Sequence, residues 1–343
     1  MTDPQWSTEG NWRQLESAAA APTHGEFRVL DTTLRVEHGA VLLALDASGL
    51  RHVLVPVAAD FETVHDRRSG GVHLTTRLLI DDAGQRQFLD LACQKLHLNN
   101  VFAHLSEEAL SSLNQDRGNP FQACRQALQR WRELLDREPS SFLPTEALCG
   151  LFGELWHLAR IANLNFQGIL SWQGPHGARH DFTAAGWALE VKTTLQRDEW
   201  KFRIHGLTQL DKPTDAILYL SAMRLELNGA AGKTIPELIQ DILQVGVDRH
   251  ELLSRLSLVG YDLRDESHYA QFRFDVVDFR TYEVGESFPR LVDLSFSTGE
   301  LPLGVSDIHY TIDLRASQAT ACSPDVLESV HTALSGVRNG GAS

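Results

Sequence analysis

The stretch Asp181-Phe-Thr-Ala-Ala-Gly-Trp-Ala-Leu-Glu190-Val-Lys192 holds a carboxylate, a short turn, a second carboxylate and, two residues on, a lysine. Side chains alternate faces along a strand, so Glu190 and Lys192 point one way while Leu189 and Val191 point into a core. A hairpin turning near Ala185-Gly186 brings Asp181 beside them. Two acids converging from paired strands, with an ammonium next to them, suit a hard cation with a charge poised over a phosphate. Taken singly, Asp181 reads as a turn-flanking acid and Glu190 with Lys192 as a solvated ion pair of little worth. Taken jointly, they read as a metal-dependent nuclease centre.

These residues need elements to hold them. Thr145, preceded by Pro144, begins an apolar helix in which Leu148, Leu151, Phe152, Leu155, Ala159 and Ala162 recur at helical spacing. Glu154 lies on the edge of that stripe, where a carboxylate needs a partner. Alone it is a flank residue reaching water; with Asp181 and Glu190 downstream it becomes a third site carboxylate. Trp200 to His205 alternates as a third strand, Gly206 breaks it, Leu207 to Leu210 begins a helical or turn segment, and Ala216 to Leu227 is apolar enough to be a central strand.

Around this core, Phe27 to Val36, Val41 to Leu45, His52 to Val57 and Val72 to Ile80 read as strands of an antiparallel module. Trp6 and Trp12 stand on a polar stretch before it, and Ala18 to Pro22 reads as a helix end and linker. Helices are expected after Gln85, where Phe88, Leu91, Ala92 and Leu96 share a face. Ser106-Glu-Glu is expected to cap the next helix, and Asn119-Pro120 to open one from Phe121 to Leu135. A single amphipathic helix is expected over 235–256, half-buried strands over 271–279 and 309–314, and a disordered tail over 336–343. The division is 1–95 as an N-terminal β-rich module, 96–228 as a helical block and nuclease core (core about 144–228), and 229–343 as a C-terminal helix and β-rich extension.

Composition narrows the function classes. The chain has 343 residues, of which 43% are apolar and 22% charged, as in ordinary globular proteins. A formal charge of -14, from 45 acidic and 31 basic residues, argues against a surface coated in cations. The acidity lies elsewhere than the candidate site: between His176 and Lys212, Arg179, Lys192, Arg197, Lys201, Arg203 and Lys212 stand against Asp181, Glu190, Asp198, Glu199 and Asp211. Cys93, Cys124, Cys149 and Cys322 form no CxxC pair, which suits free thiols in a reducing cytoplasm. No basic, apolar leader opens the chain, and no run approaches the ~20 apolar residues that cross a bilayer.

Three motifs resolve to plainer readings. In Gly229-Ala-Ala-Gly-Lys233-Thr234, Leu227 stands where a phosphate-binding loop needs glycine, and Thr234-Ile-Pro-Glu237 reads instead as a capping box. His176 and His180 lack the further partners a zinc site needs, and His180 is expected beside Asp181 at a cleft rim. Trp156 and Trp172 are read as core.

Gly153-Glu154 on a helix, then His180-Asp181-Phe182, then Glu190-Val-Lys-Thr-Thr194 resembles the PD-(D/E)XK nuclease superfamily. With Arg203-Ile-His205, Gln209-Leu, Tyr282 to Arg290 and Tyr310 to Leu314, nearly the whole chain resembles a bacterial family of PD-(D/E)XK proteins found near restriction and phage-defence genes. One departure is His180, where the superfamily name has proline. The resemblance implies an α/β (α+β) fold with a restriction-endonuclease-like αβββαβ core. It also implies a Mg²⁺-dependent DNA endonuclease, with Mn²⁺ as a substitute. Asp181, Glu190 and the Val191 carbonyl would hold the metal, Lys192 would orient or deprotonate the attacking water, and Glu154 would support a second metal or a ligating water. His205 and Gln209 enter as auxiliaries at the scissile phosphate. The implied partners are DNA, a second copy of the chain, and a DNA methyltransferase or ATPase of a defence system, with no membrane. The alternative is a DNA-binding or assembly subunit that keeps the fold and works only within a complex.

Overall fold

The computed structural model describes residues 8–17, 27–81, 84–136, 142–197, 199–229, 231–297 and 299–337. Trp6, the Ala18 to Pro22 linker and residues 338–343 of the expected tail lie outside them. The chain forms two compact units, Met1–Ser140 and Ser141–Ser343. Among the described residues no helix is long and apolar enough to cross a membrane.

In the first unit, α1 (Thr8–Ser17) precedes β1 (Arg28–Val36), β2 (Gly39–Leu45), β3 (Arg51–Val57), β4 (His65–Asp66), β5 (Val72–Asp81) and β6 (Gly84–Cys93). They form an antiparallel sheet in the order β1-β2-β3-β6-β5-β4. Residues 84–93, expected as the start of a helix, are a strand. Phe88 and Leu89 face opposite sides and both are buried, so spacing compatible with a helix arises from a strand covered on two faces. Two helices follow, α2 (Asn99–Gln115) and α3 (Pro120–Asp136). Ser106 is no cap: it sits buried inside α2, where its hydroxyl donates to the Phe102 carbonyl one turn back at 2.7 Å. Asn119 does cap α3, its Oδ1 accepting from the Gln122 N–H at 3.2 Å.

The second unit opens with α4 (Thr145–Leu164), then β7 (Phe182–Ala184), β8 (Trp187–Thr194), β9 (Lys201–His205) and β10 (Ile217–Leu227). After them come β11 (Lys233–Thr234), α5 (Ile235–Gln244), α6 (Arg249–Leu258), α7 (Glu266–Tyr269), β12 (Arg273–Glu283), β13 (His309–Asp313) and α8 (Pro324–Leu334). The central sheet runs β11-β12-β10-β8-β7, antiparallel except for the parallel β8–β10 pair. This mixed sheet with flanking helices is the α+β core expected from the sequence. The β7–β8 hairpin turns through Ala185 at φ 49° and Gly186 at φ 82°, two left-handed residues that match the twist of paired strands.

Both faces of the sheet are covered. Helix α4 lies on the Val191 side: a Cβ built at Gly153 would stand 2.5 Å from Thr193 Cγ2 and 3.1 Å from Val191 Cγ1. Glycine at this position lets helix and strand approach. On the opposite face, which carries Glu190 and Lys192, Ala188, Leu218, Leu220 and Ala222 pack with Trp200, Phe202, Ile204 and Ile312. Of these, Phe202, Ile204 and Ile312 belong to a separate two-stranded sheet of β9 and β13. Strand β9 alternates as expected, but β8 already has β7 on one edge and β10 on the other. Its hydrogen-bonding edges are filled, so β9 pairs with β13 and roofs the sheet.

Two other expectations change. The helix over 235–256 is two helices, because Gly246 adopts φ 94° and Asp248 starts the second by accepting from the Glu251 N–H at 2.8 Å. Thr234 and Glu237 do form the capping box that opens α5. Helix α8 was not anticipated; Ser323-Pro324 at its start was the available signal.

Candidate active site

Glu190 projects from the centre of β8 and is buried at 1% exposure. Lys192 Nζ lies 2.8 Å from its Oε1, yet neither Glu190 oxygen accepts a well-directed hydrogen bond. The contact joins the ammonium to Oε1 and leaves Oε2 without a partner. Burial pushes the Glu190 carboxyl up to about 8, with the Asp181 charge adding to the shift and Lys192 opposing it. Burial works against the Lys192 charge, but the Glu190 and Asp181 carboxylates outweigh it and hold the ammonium above its ordinary range.

Asp181 lies just before β7, and its Oδ2 accepts from the Val191 N–H at 2.7 Å. That bond ties the hairpin's first strand to the residue between Glu190 and Lys192. Its carbonyl also accepts from the N–H groups of Gln173 at 2.7 Å and Gly174 at 3.0 Å. Burial raises its carboxyl, against the pull of Lys192 and of the Val191 N–H. Glu154 comes from α4, and its Oε2 accepts from the Trp172 indole N–H at 2.7 Å. Burial raises this carboxyl well above its usual range, and Asp181 and Glu190 raise it further. Glu154 and Asp181 each keep part of their surface accessible, so the pair is desolvated by its surroundings but not sealed.

Gly174 marks where the two half-exposed acids meet. A Cβ built there would stand 3.1 Å from Glu154 Oε2 and 3.2 Å from Asp181 Oδ1. The absence of a side chain lets the Glu154 and Asp181 oxygens come within van der Waals reach of the Gly174 backbone. An all-oxygen donor set with spare lone pairs fits a hard divalent cation better than a soft one. Among the described residues, no group of three or more His, Cys, Asp or Glu has the geometry of a metal cage. Mg²⁺ does not need one, since it keeps several waters and binds through one or two carboxylates.

The other anticipated residues sit around this cluster. Val191 packs its side chain toward α4, leaving only its main chain for the site. His205, exposed on β9, has its ring lowered by partial burial and by the Lys192 ammonium. Its Nδ1 lies 3.1 Å from Nδ1 of His309, its partner across the β9–β13 ladder. Gln209 is engaged locally: its Oε1 accepts from the His205 N–H at 2.9 Å and closes the turn at Gly206. His180 is buried at 3% with Nε2 lacking a partner, rather than lying open at a rim.

Sequence reasoning missed two contributors. Trp172 is core, as expected from its type, but its indole N–H also holds Glu154. No local pattern announces that bond, which spans eighteen residues. No sequence signal marks Gly174, since a glycine in a Gln-Gly-Pro turn needs no further reason.

No curated protein and no solved structure matches the chain. A family model described as "Putative PD-(D/E)XK family member, (DUF4420)" matches residues 8–315, a span from α1 to just past β13 that includes every residue of the site. With the helix-borne Glu154, the Asp181 hairpin and the Glu190-Val191-Lys192 strand assembled at one place, the chain belongs to this PD-(D/E)XK-like family.

Proposed function

We propose that the protein is a Mg²⁺-dependent DNA endonuclease that hydrolyses phosphodiester bonds at the Glu154–Asp181–Glu190–Lys192 cluster. One observation carries the reading: a buried carboxylate, Glu190, paired with the Lys192 ammonium lies in one electrostatic cluster with two half-buried acids. Leaving charge unsatisfied in a desolvated place is costly for stability, and such clusters occur where a ligand completes them.

Asp181 and Glu190 would hold the cation, with the Val191 carbonyl beside them. A bound hard cation supplies Lewis acidity that stabilises negative charge on the phosphoryl oxygens. The protein's own groups do the positioning. Lys192, held protonated by its acidic neighbours, is suited to orient the attacking water and to offset charge in the transition state. It is less suited to accept a proton in the metal-free chain. The Trp172 N–H fixes Glu154 facing Gly174, where it can accept a hydrogen bond from a water. A place in a bacterial restriction or phage-defence system is the setting we propose, on the sequence resemblance alone.

The test incubates purified protein with plasmid and with linear, methylated and unmethylated DNA in Mg²⁺ or Mn²⁺. Wild type is expected to cut, and Asp181→Ala and Lys192→Ala to fall at least ~100-fold in rate, the scale of losing one transition-state electrostatic group. Equal cleavage by all three proteins would assign the activity to a contaminant and overturn the reading.

A further inference from the structure

Beyond Lys192 on the same sheet face, the structure carries a group of arginines that the cluster does not use. Residues paired across a sheet share a face. Ala222 on β10 pairs with Lys192 and with Arg280 on β12, and Arg224 pairs with Thr194 and with Asp278. Arg224 therefore lies two residues along and one strand across from Lys192, on the order of 8 Å away by ordinary strand spacings. That separation is about two base-pair steps of duplex at ~3.4 Å each.

The arginines are held in place yet incompletely satisfied. The guanidinium of Arg280 sits 4.1 Å from the Trp200 ring centroid, and that of Arg224 sits 5.3 Å from it. Stacking on an aromatic face fixes a guanidinium while leaving its in-plane N–H edge for an anion. Both reach the same Asp278 oxygen at 3.8 Å, longer than a charge-assisted hydrogen bond. Arg224 Nη1 donates to the Arg197 carbonyl, while its Nε is buried and has no partner. Arg197, 82% exposed, pairs with Glu226 at 2.5 Å. Gln196, Arg197, Arg224 and Glu226 line a cavity of about 330 Å³. In a chain of net charge -14, three arginines here face two acids, Glu226 and Asp278.

We propose that Arg197, Arg224 and Arg280 bind the phosphates of DNA flanking the cut, forming a track on β10, β12 and the segment after β8, beyond the Trp200 side chain that packs over Ala222. This rests on the nuclease reading above and deepens it. The track carries register and affinity rather than sequence preference, since arginines on phosphates read backbone and not bases.

The test measures binding of a labelled duplex by fluorescence anisotropy from 50 to 200 mM salt, using full-length chain carrying Lys192→Ala so that the duplex is not consumed. Adding Arg197→Gln and Arg280→Gln is expected to weaken binding about tenfold or more and to lower the salt slope by about 2, roughly one for each phosphate no longer neutralised. Arg197→Gln alone, on the most exposed of the three, is expected to lower it by about 1, and circular dichroism checks that each variant folds. Lys233→Gln, at the far strand β11 where Lys233 pairs with Asp241, is expected to change neither quantity. Unchanged affinity and slope in the arginine variants would overturn the track, as would an equal loss in Lys233→Gln. Tighter, arginine-dependent binding of RNA duplex of the same sequence would overturn the assignment to DNA. Cleavage by wild type in Mg²⁺ is read separately. Cutting with unchanged arginine variants overturns the track alone, arginine-dependent binding without cutting overturns the nuclease and keeps the track, and neither binding nor cutting overturns both.

Discussion

Glu154, Asp181 and Glu190 cannot all ionise cheaply in one desolvated cleft, and their carboxyls are each raised for that reason. Lys192 offsets part of the repulsion but sits closest to Glu190. The site therefore stores destabilisation that a cation would relieve, a common relation between stability and function. Glu154→Gln keeps an oxygen for the Trp172 N–H while removing one charge. The metal-free variant is expected to melt about 2–4 °C higher than wild type, corresponding to roughly 1 kcal/mol in a unit of this size, while its cleavage rate falls. Scanning calorimetry with a matched plasmid assay checks both, and a lower melting temperature would mean that the Glu154 charge stabilises the fold. At the same scale, Gly174→Val should place methyl groups against the Glu154 and Asp181 oxygens. Cleavage is expected to drop at least tenfold, and isothermal titration with Mn²⁺ to show weakened binding, with circular dichroism checking that the variant folds.

At the scale of elements, the hairpin was legible because its physics is local. Alternation around Glu190-Val191-Lys192 and a two-residue turn at Ala185-Gly186 fix which side chains meet. Helix α4 was legible through its apolar stripe. The roof over the site was not: β9 pairs with β13 across more than a hundred residues, and alternation reveals a strand without naming its neighbour. Strand β6 reads as a helix for the related reason that two buried faces erase the period on which the distinction depends. Ala185 shows the same hairpin carrying strain, since alanine at φ 49° lacks the freedom of glycine. Ala185→Gly is expected to stabilise the chain by about 1 kcal/mol. Urea denaturation would show this as a higher midpoint at unchanged slope, and no gain would mean that the turn relaxes in solution.

For the whole molecule, the raised carboxyls make stability depend on pH in a definite direction. Glu190, at about 8 in the fold against an ordinary 4.5, binds its proton more tightly folded than unfolded. Between those values the native state holds the extra proton, so each rise in pH favours the unfolded chain. The stabilisation is complete below pH ~4.5 and is lost as pH rises through about 8; Asp181 and Glu154 shift in the same sense. The net charge of -14 adds general repulsion over the same range. A cation held by ionised carboxylates has the opposite preference, because it binds better as the protons leave. Metal-free protein is therefore expected to melt at progressively lower temperature from pH 6 to pH 8.5, and millimolar Mg²⁺ to flatten or reverse that trend. Asp181→Ala should remove the Mg²⁺ effect and, by deleting one of the repelling acids, make the metal-free slope shallower. Differential scanning calorimetry across that range, with and without Mg²⁺, decides the point. A melting temperature that rises with pH in the metal-free protein would show that these acids are ionised and satisfied in the fold without a cation.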